Sequence, residues 1–438
     1  MTDTLTPPRE SAAPPRTSVV RTELRRGVGP WTGAAVAVTL LVTMYGKAPG
    51  WQGRWTDATD MLHVATGMLA GPLALAAGCW QGGRDRRRGT LELLRSVPRG
   101  RLRRQLLAVA PSALWPVAGQ LCAAAVCLLA GVWPYVSGGR PYLELVAADA
   151  VALASLGTLG HLAGQVVPWR LTAPLLAVVG YVGLGIGAYS PTSVRWLSPA
   201  AEHSFAWDKP LWWYAPASAA WTGGLGLAAL VAYAARPARL RLLAVVPLAL
   251  ALTAAGAILR LPEHGPWRPD PEAARLVCDG GSPQVCLTSV DRALLPDVSR
   301  ALAPLNERLR GLPGAPTRWV GGPTGALPGD VGLPGADQDV ARGRLVHPER
   351  YANSAAQWLF SDTCRPGDFT GPDAERTSLV NLAVVEWLAP APPGYGADTT
   401  GAQMYIARLK AMSPAEQRAY LTRYLAADTC RPEEVPIP

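Results

Sequence analysis

Seven stretches of roughly 17–25 mostly apolar residues, at about 30–46, 60–79, 106–132, 145–167, 171–189, 215–234 and 242–259, fill the first 260 positions of this 438-residue chain. Inside a bilayer no water bonds a free backbone amide or carbonyl, so runs of that length fold as helices. The expected class is an all-α polytopic membrane protein of about seven transmembrane helices. Behind it comes a disulfide-bonded, mainly helical α+β domain. The divisions fall at 1–28 (a basic tail), 29–260 (the membrane region, with a loop at 80–105) and 261–438 (the C-terminal domain).

Charge orients the bundle. Residues 1–260 carry 24 Lys/Arg against 11 Asp/Glu, a net of +13, whereas residues 261–438 carry 17 against 21, a net of −4. The overall +9 therefore belongs to the loops of a membrane region, and no nucleic acid is expected as a partner. With the N terminus inside, the inner loops hold 18 Lys/Arg and the outer loops five: Lys47, Arg54, Arg140, Arg195 and Lys209. The positive-inside bias then places the tail in the cytoplasm and, with an odd number of spans, the C-terminal domain outside the cell membrane. Residues 1–16 are Pro-rich and polar, a composition that stays disordered. Residues 17–28 set Val19, Val20 and Leu24 against Arg21, Arg25 and Arg26, which reads as a short helix in the headgroup layer. No signal peptide is visible.

Cysteine placement agrees with that orientation. Cys79, Cys122 and Cys127 fall in or beside spans and read as small buried apolar residues. Cys278, Cys286, Cys364 and Cys430 all follow the last span, an even set suited to two disulfides in an oxidising compartment. Of three possible pairings, Cys278–Cys286 with Cys364–Cys430 is preferred, because the first two flank a turn-like DGGSPQ; a zinc site is the rival. Two strands are expected at 274–278 and 284–288. A helix follows at about 291–310, with Leu295, Val298, Leu302, Leu305 and Leu309 along one face. Residues 311–336 read as Gly/Pro loop. Further helices are expected near 348–360, 376–389 and 402–411, and Ser413, Pro414 and Glu416 form a helix-start signal.

The most unusual loop is RDRRRGTLELLRSVPRGRLRR, residues 84–104, with nine arginines around a short apolar word. Gly89 breaks the preceding segment, Thr90 can cap, and Leu91, Leu93, Leu94 and Val97 share about two helical turns before Pro98. A cytosolic loop rarely exposes such a ridge uncovered; the alternative is a helix lying on anionic lipid. The stretch resembles the coupling loop of type-2 ABC exporter permeases: Asp85, Gly89, Thr90, Leu91, Leu94, Pro98 and Arg99 match the family pattern, while Gly100 and Gln105 depart from it. The resemblance covers about residues 17–234. It implies that Gly89, Thr90, Leu91, Leu94, Val97, Pro98 and Arg99 dock into a separate ABC ATPase subunit. It also implies that a second permease chain, identical or related, completes the path through the lipid. The aromatic-rich segment 190–214, with Trp196, Trp207, Trp212, Trp213 and Tyr214, fits the family's outer loop and suits the membrane interface. The seventh span and the C-terminal domain are additions, and such Cys-containing tails resemble those of actinobacterial permeases.

The chain contains no GxxxxGK[ST] and no HExxH, so neither ATP hydrolysis nor any catalytic residue, cofactor or metal is expected in it. Ionisable groups inside the spans are few: His63, Asp149 and His161, with Asp60 at a span edge. An intramembrane charge points to function, so these residues are candidates for a substrate path, set against simple hydrogen bonding between helices. Asp149, near the outer end of its span, is expected to reach water. The function expected from the whole is that of an exporter permease; a non-transporting membrane sensor or anchor, acting through its outer domain, is the alternative.

Overall fold

The computed structural model describes residues 22, 24–25, 27–89, 100–167, 169–203, 205–235, 238–262, 265–323, 327, 329–336, 339–361, 372–394, 398–427 and 431–438. Helices stand at all seven apolar runs: α1 (Gly29–Gly46), α2 (Trp55–Gly82), α3 (Arg101–Val132), α4 (Leu143–Val166), α5 (Thr172–Ala188), α6 (Tyr214–Ala234) and α7 (Arg239–Leu259). Five of them, α2, α3, α4, α6 and α7, are long and apolar enough to cross a membrane. Among the other two, α5 has 17 residues, and α1 spreads three threonines, a tryptophan and a proline over its 18. The outward faces of α5 and α7 display Leu175, Val178, Ile186, Val246 and Leu250, a surface that lipid rather than water would cover.

At 28 residues, α2 is about 42 Å long, more than a hydrocarbon core requires. It contains a π-helical stretch at Thr66–Ala70, directly ahead of Pro72, whose missing N–H interrupts the regular ladder. Along α4 it packs backbone against backbone. A Cβ on Gly160 would lie 2.0 Å from Leu75 O, one on Gly164 2.0 Å from Cys79 O, and one on Gly82 2.0 Å from His161 O. Only glycine tolerates those approaches, and in lipid, where apolar burial between helices is worth little, such close contact holds helices together. Cys79 and Cys127 are buried as expected; Cys122 instead faces outward from α3.

The C-terminal region is a small mixed domain. β3 (Leu276–Cys278) and β4 (Gln284–Thr288) form the expected antiparallel hairpin, with Cys278 opposite Cys286 and a disulfide joining them. Asp279 fixes the turn: its Oδ1 accepts from the amides of Gly281 and Val285, and its Oδ2 from Ser299 Oγ at 2.6 Å. Burial alone would raise its pKa, but those hydrogen bonds outweigh it and hold the carboxyl below its ordinary value. Cys364 and Cys430 lie outside the described residues.

Residues 311–336 are not only loop, contrary to expectation. β5 (Arg318–Val320) and β6 (Asp330–Gly332) add to β4 in parallel, giving the order β3-β4-β5-β6. Three residues are too few to display an alternating pattern among glycines and prolines. The Arg318 guanidinium secures their register with two bonds to Asp330, at 2.9 and 2.6 Å.

α8 (Leu295–Leu309) lays Val298, Leu302, Leu305 and Leu309 into the core, together with Trp319, Tyr351, Tyr420 and Tyr424. α9 (Pro348–Ser361), α10 (Pro372–Leu388), α11 (Gln403–Ala411) and α12 (Pro414–Ala426) complete it, and the Ser413–Glu416 capping box forms as read.

The domain is seated on the membrane bundle at several points. β1 (Asp208–Pro210), between α5 and α6, pairs antiparallel with β2 (Trp267–Pro269), just beyond α7. Arg54 Nε donates to Asp291 Oδ1 at 2.5 Å, and Ser137 Oγ donates to Val290 O at 2.7 Å. The tight turn at Gly343 (φ +67°) packs on Tyr135 and Gly53, where a Cβ would meet Tyr135 O at 2.6 Å.

Candidate functional site

The basic loop is described only at its two ends. After α2 a short helical turn, Arg84–Arg87, turns back: the Arg87 guanidinium lies over the Trp80 ring at 4.2 Å and donates to the Trp80 carbonyl. Gly89 closes this segment with φ +66°, a conformation natural to glycine. Thr90, Leu91, Leu94, Val97, Pro98 and Arg99 lie outside the described residues. The chain re-enters α3 at Arg101, whose guanidinium sits 5.7 Å from the Tyr233 ring centre.

The intramembrane candidates form two separate polar contacts. His63 Nδ1 on α2 lies 2.6 Å from Asp149 Oδ1 on α4. Asp149 is only 2% exposed, so it does not reach water as its position near the outer end of the span had implied. The histidine ring is its partner instead. Twelve residues further along α4, about 18 Å away, His161 Nδ1 lies 3.0 Å from Ser112 Oγ on α3. Gln165 Nε2 lies 3.3 Å from His161 Nε2 and donates to Gln105 Oε1 at 3.2 Å. Both histidines bridge helices, and the two contacts do not merge into one path.

A third site was not apparent from sequence. Between the seated domain and the bundle opens a cleft of about 1110 Å³. Its floor is an ion-pair cluster: Arg54 binds Asp291 and, through Nη1, Asp57 at 3.0 Å. Burial alone would depress the guanidinium, but Asp291 and Asp57 outweigh it and raise its pKa above the ordinary value. One wall comes from the 190–214 segment. There Trp196 and Tyr214 are buried, while Trp212 is 86% exposed, so only part of that aromatic set stands at the surface. His203 stacks on Trp267 with ring centres 4.0 Å apart, and Phe205 stacks on Trp207 at 5.3 Å. His203 Nε2 is 3.2 Å from Asp208 Oδ2 yet makes no hydrogen bond there. Its backbone amide donates to Asp60 Oδ1 at 3.0 Å, one turn of α2 before His63. The facing wall holds Gly321, Gly322 and Pro323, with Trp358 at the rim. Sequence patterning marks Arg54 and Asp208 only as loop charges and Asp291 only as the start of a helix, because what unites them is tertiary docking.

Among the described residues no group of three His, Cys, Asp or Glu is arranged to hold a metal ion. No family model, curated protein or solved structure matches the chain.

Proposed function

We propose that the chain is the transmembrane permease subunit of an ABC exporter, coupling ATP hydrolysis by a separate ATPase to translocation of a substrate across the cell membrane. One observation supports this reading most. α2 and α3 run from the seat of the C-terminal domain, at Arg54 and Ser137, to the Arg-rich segment at Arg84 and Arg101. The domain and the basic loop are therefore separated by the length of a membrane-spanning helix. The positive-inside rule assigns the loop end to the cytoplasm, where an ATPase resides. α1 and α5 then complete seven spans, the domain faces the exterior, Cys364 and Cys430 supply its second disulfide, and a second permease chain completes the path.

The test is co-purification. Burying one leucine side chain is worth about 1.5–3 kcal/mol, so Leu91→Asp with Leu94→Asp should weaken capture of an ATPase by several tens-fold or more while leaving membrane insertion intact. Replacing two of Arg86, Arg87 and Arg88 by Gln should have a milder, salt-sensitive effect. If no ATPase is recovered with the unaltered chain, or the double Asp variant retains it, the exporter reading falls. The second reading, a membrane sensor acting through its outer domain, is favoured by the cleft beneath that domain and would then replace it.

A further inference from the structure

We propose that the cleft between the C-terminal domain and the membrane bundle binds a neutral saccharide chain. The inference does not depend on transport. At about 1110 Å³ the cleft exceeds the usual span for small-molecule sites, roughly 300–1,000 Å³, and has room for more than one ring. Most of its carboxylates already have a partner. Asp57 and Asp291 share Arg54, Asp330 is held by Arg318, and Asp208 faces His203. Among the buried carboxylates of the lining only Asp208, whose Oδ1 has no partner, stays open to a donor. The lining's five carboxylates against three guanidinium groups also disfavour a phosphate or a fatty acid.

What stays unmatched is a mixture of donors and acceptors. Arg195 Nε and Trp196 Nε1 are buried donors without a partner, and Asp208 Oδ1 is a buried acceptor without one. A hydroxyl group serves both roles. The cleft also presents aromatic faces to the same space: Phe205 is 51% exposed and backed by Trp207, and Trp358 is 41% exposed at the opposite rim. Flat rings flanking a lining of mixed hydrogen-bonding groups match a pyranose, which offers a C–H face to an aromatic surface and hydroxyls at its edge. An acyl chain would leave the buried polar lining unpaired.

The full chain in lipid nanodiscs is titrated by calorimetry with maltohexaose, cellohexaose and an N-acetylglucosamine hexamer. Inorganic phosphate, dodecanoate and tetramethylammonium are tested in parallel. At least one hexamer should bind, and Trp358→Ala and Phe205→Ala should each weaken it by about tenfold without shifting the thermal midpoint; Trp358→Tyr should restore most of the affinity. The proposal is overturned if no hexamer binds, if binding survives both alanine substitutions, or if phosphate, dodecanoate or tetramethylammonium binds instead in a Trp358-dependent way.

Discussion

Asp149 and His63 each place a polar group where a bilayer offers no water, and each is the other's partner at 2.6 Å. Removing one member of a buried pair leaves the other unanswered, at a cost of about 3–5 kcal/mol, whereas replacing both by apolar groups is often neutral. His63→Leu and Asp149→Leu should therefore each lower the thermal midpoint of the detergent-solubilised chain, and the double variant should recover most of the loss. If the losses simply add, the two side chains are not a pair. Both residues are legible in the sequence as charges within apolar runs. Their pairing is not, because the partners lie 86 positions apart on different helices. His161 is the same case: the ring is conspicuous in the sequence, but Ser112, which meets it, resembles any other serine of a membrane helix.

The α2–α4 contact is set by glycines at Gly78, Gly82, Gly160 and Gly164. Gly160→Val would drive a branched side chain into the Leu75 carbonyl, and the helices would have to separate along their length. Gly183 on α5 has open space around its Cα, so Gly183→Ala should be tolerated. Size-exclusion profiles of the two variants should differ sharply: dispersed or aggregated for Gly160→Val, monodisperse for Gly183→Ala. Similar profiles would mean that the close packing is not what holds the pair. The paired spacings Gly78-x-x-x-Gly82 and Gly160-x-x-x-Gly164 stand in the sequence as recognisable small-residue motifs, although hydropathy reading passes over them. Apolar runs located all seven helices of the bundle, five of them long and apolar enough to cross a membrane, and the stripe of α8 was legible in advance because 15 residues allow its period to repeat. β5 and β6 were not, since their pairing depends on the Arg318–Asp330 bridge and not on pattern.

For the molecule as a whole, orientation is the open quantity that experiment reaches most directly. Lys410→Cys, on the exposed surface of α11, should react with a membrane-impermeant maleimide in intact cells, and Gly89→Cys only after permeabilisation. The reverse pattern would invert the protein and end the exporter reading. The docking of the domain carries a mechanical consequence. α2 and α3 are held at their upper ends by Arg54–Asp291 and Ser137–Val290, and both lead at their other ends into the basic loop. Each is a lever whose short arm is gripped by the domain. A rigid tilt of about 5° in a rod of about 42 Å moves its far end by roughly 4 Å, more than a hydrogen bond can stretch. A push on the loop must then either rock the domain on its seat or pull Arg54 away from Asp291. In either event the cleft would change width, so the seat that fastens the two halves is also a strain gauge between them.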